Sequence, residues 1–357
     1  MSAVALIATR KGLFKLTEHQ TIEPVGFSGV PVTMMLASKH HARWYAALDH
    51  GHFGTKFHAS DDEGVHWQEL TAPAYPKQDD KEDGDSLKMI WSLEFAKGES
   101  SNELWAGTIP GGLFYSNDGG NSWQLNQTLW QYKQQQQWFG GGFDEAGIHS
   151  ICVDPEDSNK VSIAVSCAGV WVTENGGESW NNQSKGMRAE YMPPEQAGDP
   201  LIQDPHRMVQ CPSDPEQFWV QHHNGIFVSS DGTKSWQEVE SVEPSAFGFA
   251  TVVHPDDGNT AWFVPAVKDE CRIPVDGQFV VTRTRDGGKT FEQLNKGLPL
   301  GLSYDLVFRH GLDIDATGDQ LLMGSTTGNL WLSDNQGDSW QCLSNHLPPI
   351  YAVRFIK

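Results

Sequence analysis

The sequence predicts an all-β protein, a closed ring of four-stranded antiparallel sheets. Three observations predict it. An eight-residue turn motif recurs six times at near-constant spacing. Short apolar runs of strand length precede each copy. The two chain ends supply complementary parts of one further sheet. Internal repeats at a fixed period mark solenoids and propellers, and here they fix the element count before any local reading.

The motif is Ser/Thr, any, Asp/Asn, any, Gly, any, Ser/Thr, aromatic. Its copies start at Ser60, Ser116, Thr173, Ser229, Thr284 and Ser333, and end at Trp67, Trp123, Trp180, Trp236, Phe291 and Trp340. The third positions are Asp62, Asp118, Asn175, Asp231, Asp286 and Asn335, separated by 56, 57, 56, 55 and 49 residues. A short Asp or Asn side chain bonds backbone two or more residues on and shapes a turn. Gly supplies a positive-φ position. Runs such as Val161 to Val165 and Gly169 to Val172 read as strands joined by tight turns. Each unit therefore reads as four strands, A to D, with the motif between C and D.

A seventh sheet completes the ring. Ile350 to Ile356 forms an A strand with nothing after it, and Ala3 to Ala8 and Gly12 to Leu16 form B and C strands with no A before them. Residues 1–357 thus read as one seven-bladed β-propeller domain, blade 7 being formed by 350–356 plus 3–25. Its own turn, near Thr17 to Thr21, is degenerate. Closure removes the open sheet edges.

The motif is identified as the Asp box, or BNR repeat. The chain resembles Asp-box propellers: sialidases, xyloglucanases, sortilin-type receptors and photosystem II assembly propellers. It is most similar to a bacterial family labelled sialidase-like or glycosyl hydrolase. The stretches that carry this are ATRKGLF at Ala8 to Phe14, GHFG at Gly51 to Gly54, and GSTTGNL, GDSW and HLPPIY between Gly324 and Tyr351. The resemblance implies the propeller and a glycosidase-type label. Sialidases, however, carry an Arg-Ile-Pro element before the first box. Here Arg272-Ile273-Pro274 stands between the fourth and fifth boxes, and seven blades replace their six. Both departures argue against sialidase chemistry.

Composition bounds the function. The formal net charge is −21, with 25 Lys and Arg spread along the chain. A nucleic-acid or anionic membrane partner is therefore not expected, while the charge still leaves room for a small anionic ligand in a local pocket. The start of the chain lacks the charge-then-apolar order of a secretion signal, so a cytoplasmic location is expected. The five cysteines are odd in number and far apart, as free, mostly buried thiols would be.

Carboxylates repeated once per blade at a turn shape that turn, so the motif acids are not nominated as catalytic. The ligand face is expected where D-to-A and B-to-C connections meet. Three of the former, 71–88, 124–147 and 181–205, are long and are expected to be unstructured lids. Aromatics such as Trp130, Trp138 and Phe143 in the second either stack on a sugar or pack down.

Counting back five residues from the end of each A strand gives the channel-mouth positions: Thr33, Trp91, His149, His206, Phe249, His310 and Tyr351. Three of the seven are histidine. His50 and His52, His222 and His223, and His346 fall on the same face. Imidazoles bind divalent metals and exchange protons near neutral pH. A catalytic set of His149, His206, His310, Tyr351 and Arg309 is the candidate, with His149, His206 and His310 as ligands if a divalent metal is the cofactor. Arg10, His50, His52, Trp91, His222, His223, Arg272, Asp269 and Glu270 are candidate ligand-binding residues. The function expected is binding of a glycan or small anionic ligand, with or without chemistry on it. The alternatives are a non-catalytic interaction or assembly propeller and a metal-dependent enzyme.

Overall fold

Each turn motif lies between the third and fourth strands of a sheet, where the repeat places it. A computed structural model describes residues 3–40, 42–76, 85–136, 138–140, 143–240 and 242–356. Six four-stranded sheets run consecutively within residues 32–70, 89–125, 148–182, 205–238, 248–294 and 312–344. The seventh joins the chain ends in the order Ile350–Phe355, Ala3–Thr9, Gly12–Thr17, Ile22–Gly26. The fold is a seven-bladed β-propeller. No helix among the described residues is long and apolar enough to cross a membrane.

The closing strand is antiparallel to the first, pairing Leu6 with Arg354 and Ile7 with Val353. Its residues serve two inter-blade cores. Ala352 and Ile356 join Leu6, Val32, Met35 and Trp44 toward blade 1. Ile350, Val353 and Phe355 join Leu322 and Leu330 toward blade 6. Ile350 also lies against Gly324, where an added Cβ would come 2.5 Å from its side chain.

The motif is a closed hydrogen-bond unit. In the second copy Ser116 Oγ accepts from Gly120 N at 2.9 Å and donates to Asp118 Oδ1 at 2.9 Å. Asp118 Oδ1 also accepts from Ser122 N, and Oδ2 accepts from the Ser122 hydroxyl. The two Asn copies keep the backbone bond to Oδ1 and reverse the bond to the hydroxyl. Asn175 Oδ1 accepts from Ser179 N, and its Nδ2 donates to Ser179 Oγ; Asn335 and Ser339 repeat this. An amide thus replaces the carboxylate, so the position needs acceptor geometry and no charge. The terminal indoles reach the preceding blade. Trp67 Nε1 donates to Val25 O, Trp123 Nε1 to Thr71 O, and Trp236 Nε1 to Gln183 O. The degenerate turn of blade 7 keeps one element, Thr21 N donating to Thr17 Oγ1.

Two expectations need correction. Residues 124–147 are not a structureless lid: a helix spans Gln127–Gln136. Asn126 caps it, its Oδ1 accepting from Leu129 N at 2.9 Å. Leu129, Trp130 and Trp138 are buried under it, so these aromatics pack down, while Phe139 and Phe143 stay exposed. Of 71–88, residues 77–84 lie outside the described set. The cysteines are all free, but only Cys167 and Cys211 are buried.

Ending the chain after Pro348 is expected to abolish cooperative folding, because the ring then lacks its closing inner strand. Circular dichroism melting tests this; an unchanged Tm would refute the closure.

For the motif, Asp118→Ala is expected to lower stability by about 1–2 kcal/mol, the scale of lost turn hydrogen bonds. Asp118→Asn should stay close to wild type at neutral pH, as the Asn copies do. These hydrogen bonds hold Asp62 and Asp286 down at about 2, and Asp118 and Asp231 below the usual range, Asp231 against the opposing effect of burial. A depressed carboxyl contributes stability above its unfolded pKa and loses it as pH falls toward the folded one. Denaturant unfolding should therefore weaken between pH ~4 and ~2, and less steeply in Asp118→Asn. Equal acid sensitivity of the two proteins would contradict this.

Candidate binding site at the channel mouth

The predicted mouth positions share a backbone feature. The inner-strand ladder skips Thr33, Trp91, His149 and His206, and skips Phe249 together with Ala250. In the closing sheet it skips Tyr351. These are β-bulges, which leave a residue unpaired and re-aim its side chain. The carbonyl just ahead of a bulge is then met from the preceding blade. Thr33 Oγ1 donates to Ile90 O at 3.1 Å, Ser92 Oγ to Ile148 O at 2.9 Å, and His206 Nδ1 to Gly248 O at 2.7 Å. Blade 6 differs: its inner strand starts later, at Leu312, and His310 instead bridges to Ala352.

The bulges gather one polar and aromatic cluster. His206 stacks on Phe249, ring centroids 4.5 Å apart and planes 14° apart. The Arg309 guanidinium lies 4.7 Å from the Trp91 ring centroid and 5.3 Å from that of Phe249. Arg272 lies 5.1 Å from Phe249 and is held by Asp269, with Nε 3.0 Å from Oδ1. Asp204, just ahead of His206, is the residue that sequence reasoning missed. Its Oδ1 accepts from Ser166 Oγ and Cys167 N. Its Oδ2 faces His223 Nδ1 at 3.5 Å and His206 Nε2 at 3.6 Å. Among the described residues, the group of three or more ligand-capable side chains that converge is Asp204, His206 and His223, with ligand atoms within 4.8 Å of one another. The sequence signal was Asp204-Pro205-His206, an acid two residues before a mouth histidine.

Electrostatics follow from burial and these neighbours. Burial pushes the His206 imidazole down, against the pull of Asp204. His223 is raised because Asp204 favours its charged form. Burial opposes ionisation of Asp204, yet the two imidazoles and Arg309 hold it well below the usual carboxylate range. Burial lowers Arg309 to about 10, which leaves it charged at neutral pH.

The other candidates divide. His149 is buried; its Nδ1 is 3.0 Å from Ser150 Oγ and its Nε2 has no partner among the described residues. His310 donates from Nε2 to His149 O at 2.8 Å. Neither joins the converging group, so the three mouth histidines do not form one ligand set. His310 belongs to the channel below, a cavity of about 770 Å³ that Arg207 and Arg354 also line. His222 is buried, and its Nε2 accepts from Asp204 N, so it holds the backbone; burial lowers it to about 3. Tyr351 feels Arg10 and Asp49 on the blade 7 and blade 1 side of the face. His50 and His52 flank the exposed Phe53, and His50 lines a separate cavity with Phe27 and His58. Glu270 is exposed beside Lys268 at 3.5 Å.

The same face is apolar at its rim. The exposed Phe53, Phe139, Phe143, Tyr191, Val267, Leu300, Leu302 and Tyr304 all lie on its B-to-C or D-to-A connections, whereas Val65 lies on a motif turn opposite.

No family model matches the sequence, and no curated protein matches it. Solved structures do. A GH74 enzyme from Niastella koreensis is similar with a TM-score of 0.62 at 15% identity, over 95% of this chain and 52% of that one. YCF48 from Cyanidioschyzon merolae is similar with a TM-score of 0.55 at 14% identity, over 89% and 87%. A putative 6-phosphogluconolactonase from Bacteroides uniformis gives 0.58 at 12% identity, over the full length of both chains. The chain spans about half the length of the GH74 enzymes it matches, 52% of one and 40% of an ancestral form. At these identities the likenesses establish the fold, a β-propeller.

Proposed function

We propose that the protein binds a small, ring-shaped carboxylate, an acidic sugar being the type, at the channel mouth. The observation that carries this reading is Arg309. Among the described residues its guanidinium makes no ion pair, and its Nε is buried without a hydrogen bond. A desolvated donor without a partner is costly. A carboxylate can accept from a guanidinium through two parallel bonds and remove that cost. Arg272 and His223 stand beside the same space, and Phe143 and Tyr191 offer apolar faces at its edge. In a chain of net charge −21 such a cluster concentrates a local positive field. The GH74 fold likeness and the sequence resemblance to Asp-box, sialidase-like proteins both favour a sugar ligand.

A second reading, a protein-docking propeller, is favoured by the apolar rim; one similar propeller is described as YCF48 bound to a D1 peptide.

Calorimetric titration with galacturonate and glucuronate, against galactose and glucose, separates these. The acids should bind at least 10-fold more tightly than their neutral partners. Arg309→Gln should weaken acid binding by a further 10-fold or more, since bonds to a charged group are worth about 1.5–3 kcal/mol. Acids and neutral sugars binding alike, or an unaffected Arg309→Gln, would overturn the first reading. Binding of peptides alone would favour the second.

A further inference from the structure

We propose that Asp204, His206 and His223 form a binding site for one divalent transition-metal ion. Three observations build it.

The first is spacing. The Asp204 Oδ2 to His223 Nδ1 and His206 Nε2 separations are 3.5 and 3.6 Å. Both exceed the roughly 2.7–3.2 Å of an N–H···O bond. They match the roughly 3.4 Å between neighbouring ligands of a tetrahedral ion bound at ~2.0–2.1 Å. An ion held by all three groups fits these separations.

The second is the state of His206. Its Nδ1 lies 2.7 Å from Gly248 O, so Nδ1 carries the proton. In the neutral ring Nε2 then presents a lone pair to a carboxylate oxygen. Two acceptors face each other with no proton between them, unless an imidazolium or a cation intervenes. Metal-bound histidines show this same arrangement, with the distal N–H on a backbone carbonyl.

The third is support behind each ligand. Asp204 Oδ1 is fixed by Ser166 Oγ and Cys167 N, leaving Oδ2 for the ion. His223 is held by its backbone N–H on Asp204 O at 2.9 Å, and its ring edge meets Tyr191 and Phe247. Asp204 and His206 are buried, while the His223 side chain is 25% exposed, so an ion enters from its side.

Two imidazoles and one carboxylate suit Zn²⁺, Fe²⁺ or Co²⁺ and disfavour Ca²⁺ and Mg²⁺, which take all-oxygen shells. Three protein ligands leave open coordination positions. The site differs from the histidine trio expected from the sequence, of which it keeps only His206. It stands apart from the acid-binding reading, because the ion alone is the probe.

The test uses full-length protein stripped with chelator and dialysed. Zn²⁺ is titrated calorimetrically, and Co²⁺ by visible absorption. The wild type should bind one equivalent, give the strong d–d bands of a low-coordinate Co²⁺, and melt at a higher temperature with Zn²⁺. His223→Ala, at a partly exposed position, should lose at least 100-fold in affinity, as should Asp204→Asn. His52→Ala should bind as wild type. Failure of the wild type to bind one equivalent, or binding unchanged in both His223→Ala and Asp204→Asn, would overturn the proposal. Acid binding by Arg309 without metal binding would sink this site and leave the other reading standing.

Discussion

Antiparallel pairing of Ile350–Phe355 with Ala3–Thr9 is the constraint on which the rest of the structure depends. An open row of seven twisted sheets would expose an apolar face at each end and leave Ala3–Thr9 without an inner partner. Closing the row pairs that strand and buries apolar faces between every pair of neighbours. It also brings the starts of the inner strands around one opening. Residues far apart in sequence, such as Trp91, His206 and Arg309, can meet only because the ring is shut. The site is therefore a consequence of closure.

Two different devices operate at the two ends of the channel. On one face the turn motifs satisfy themselves: hydroxyl, carboxylate or amide, and backbone N–H form a local set, and the terminal indole ties the turn to the blade before it. The sixth motif is the exception: Trp340 Nε1 is buried without a hydrogen bond among the described residues. On the other face the bulges break the ladder, and ahead of three of them, at Ile90, Ile148 and Gly248, the neighbouring blade bonds the freed carbonyl. That exchange fixes the orientation of His206 through Gly248, and the other imidazole nitrogen is turned to Asp204. Backbone irregularity thus becomes side-chain chemistry within one residue.

The blade count and the closing strand were legible because the motif has fixed spacing and a period-2 strand has a fixed register. The mouth positions were legible for the same reason: counting back from each strand end reached a bulge at Thr33, Trp91, His149, His206 and Tyr351. What failed was local. The helix at Gln127–Gln136 has a polar, glutamine-rich exterior and buries only Leu129 and Trp130, so it shows no apolar periodicity. Asp204 belongs to the end of a long connection and enters the site only because Pro205 starts the strand there. His50 and His52 lie on the expected face, yet at the short 3-10 turn Gly51–Phe53 His50 lines a different cavity and His52 packs on Phe53. Sharing a face is a property of topology; sharing a site depends on side-chain direction, which spacing does not encode.

The proposed ligand chemistry belongs to the bulged mouth, and the turns are structural. The most direct test is a crystal structure of the protein grown with galacturonate and Zn²⁺, with anomalous data collected at the zinc edge. The account predicts one strong anomalous peak between Asp204, His206 and His223, with a carboxylate on Arg309 beside it. An empty mouth, with ordered ligand only on the face formed by the turn motifs, would contradict it.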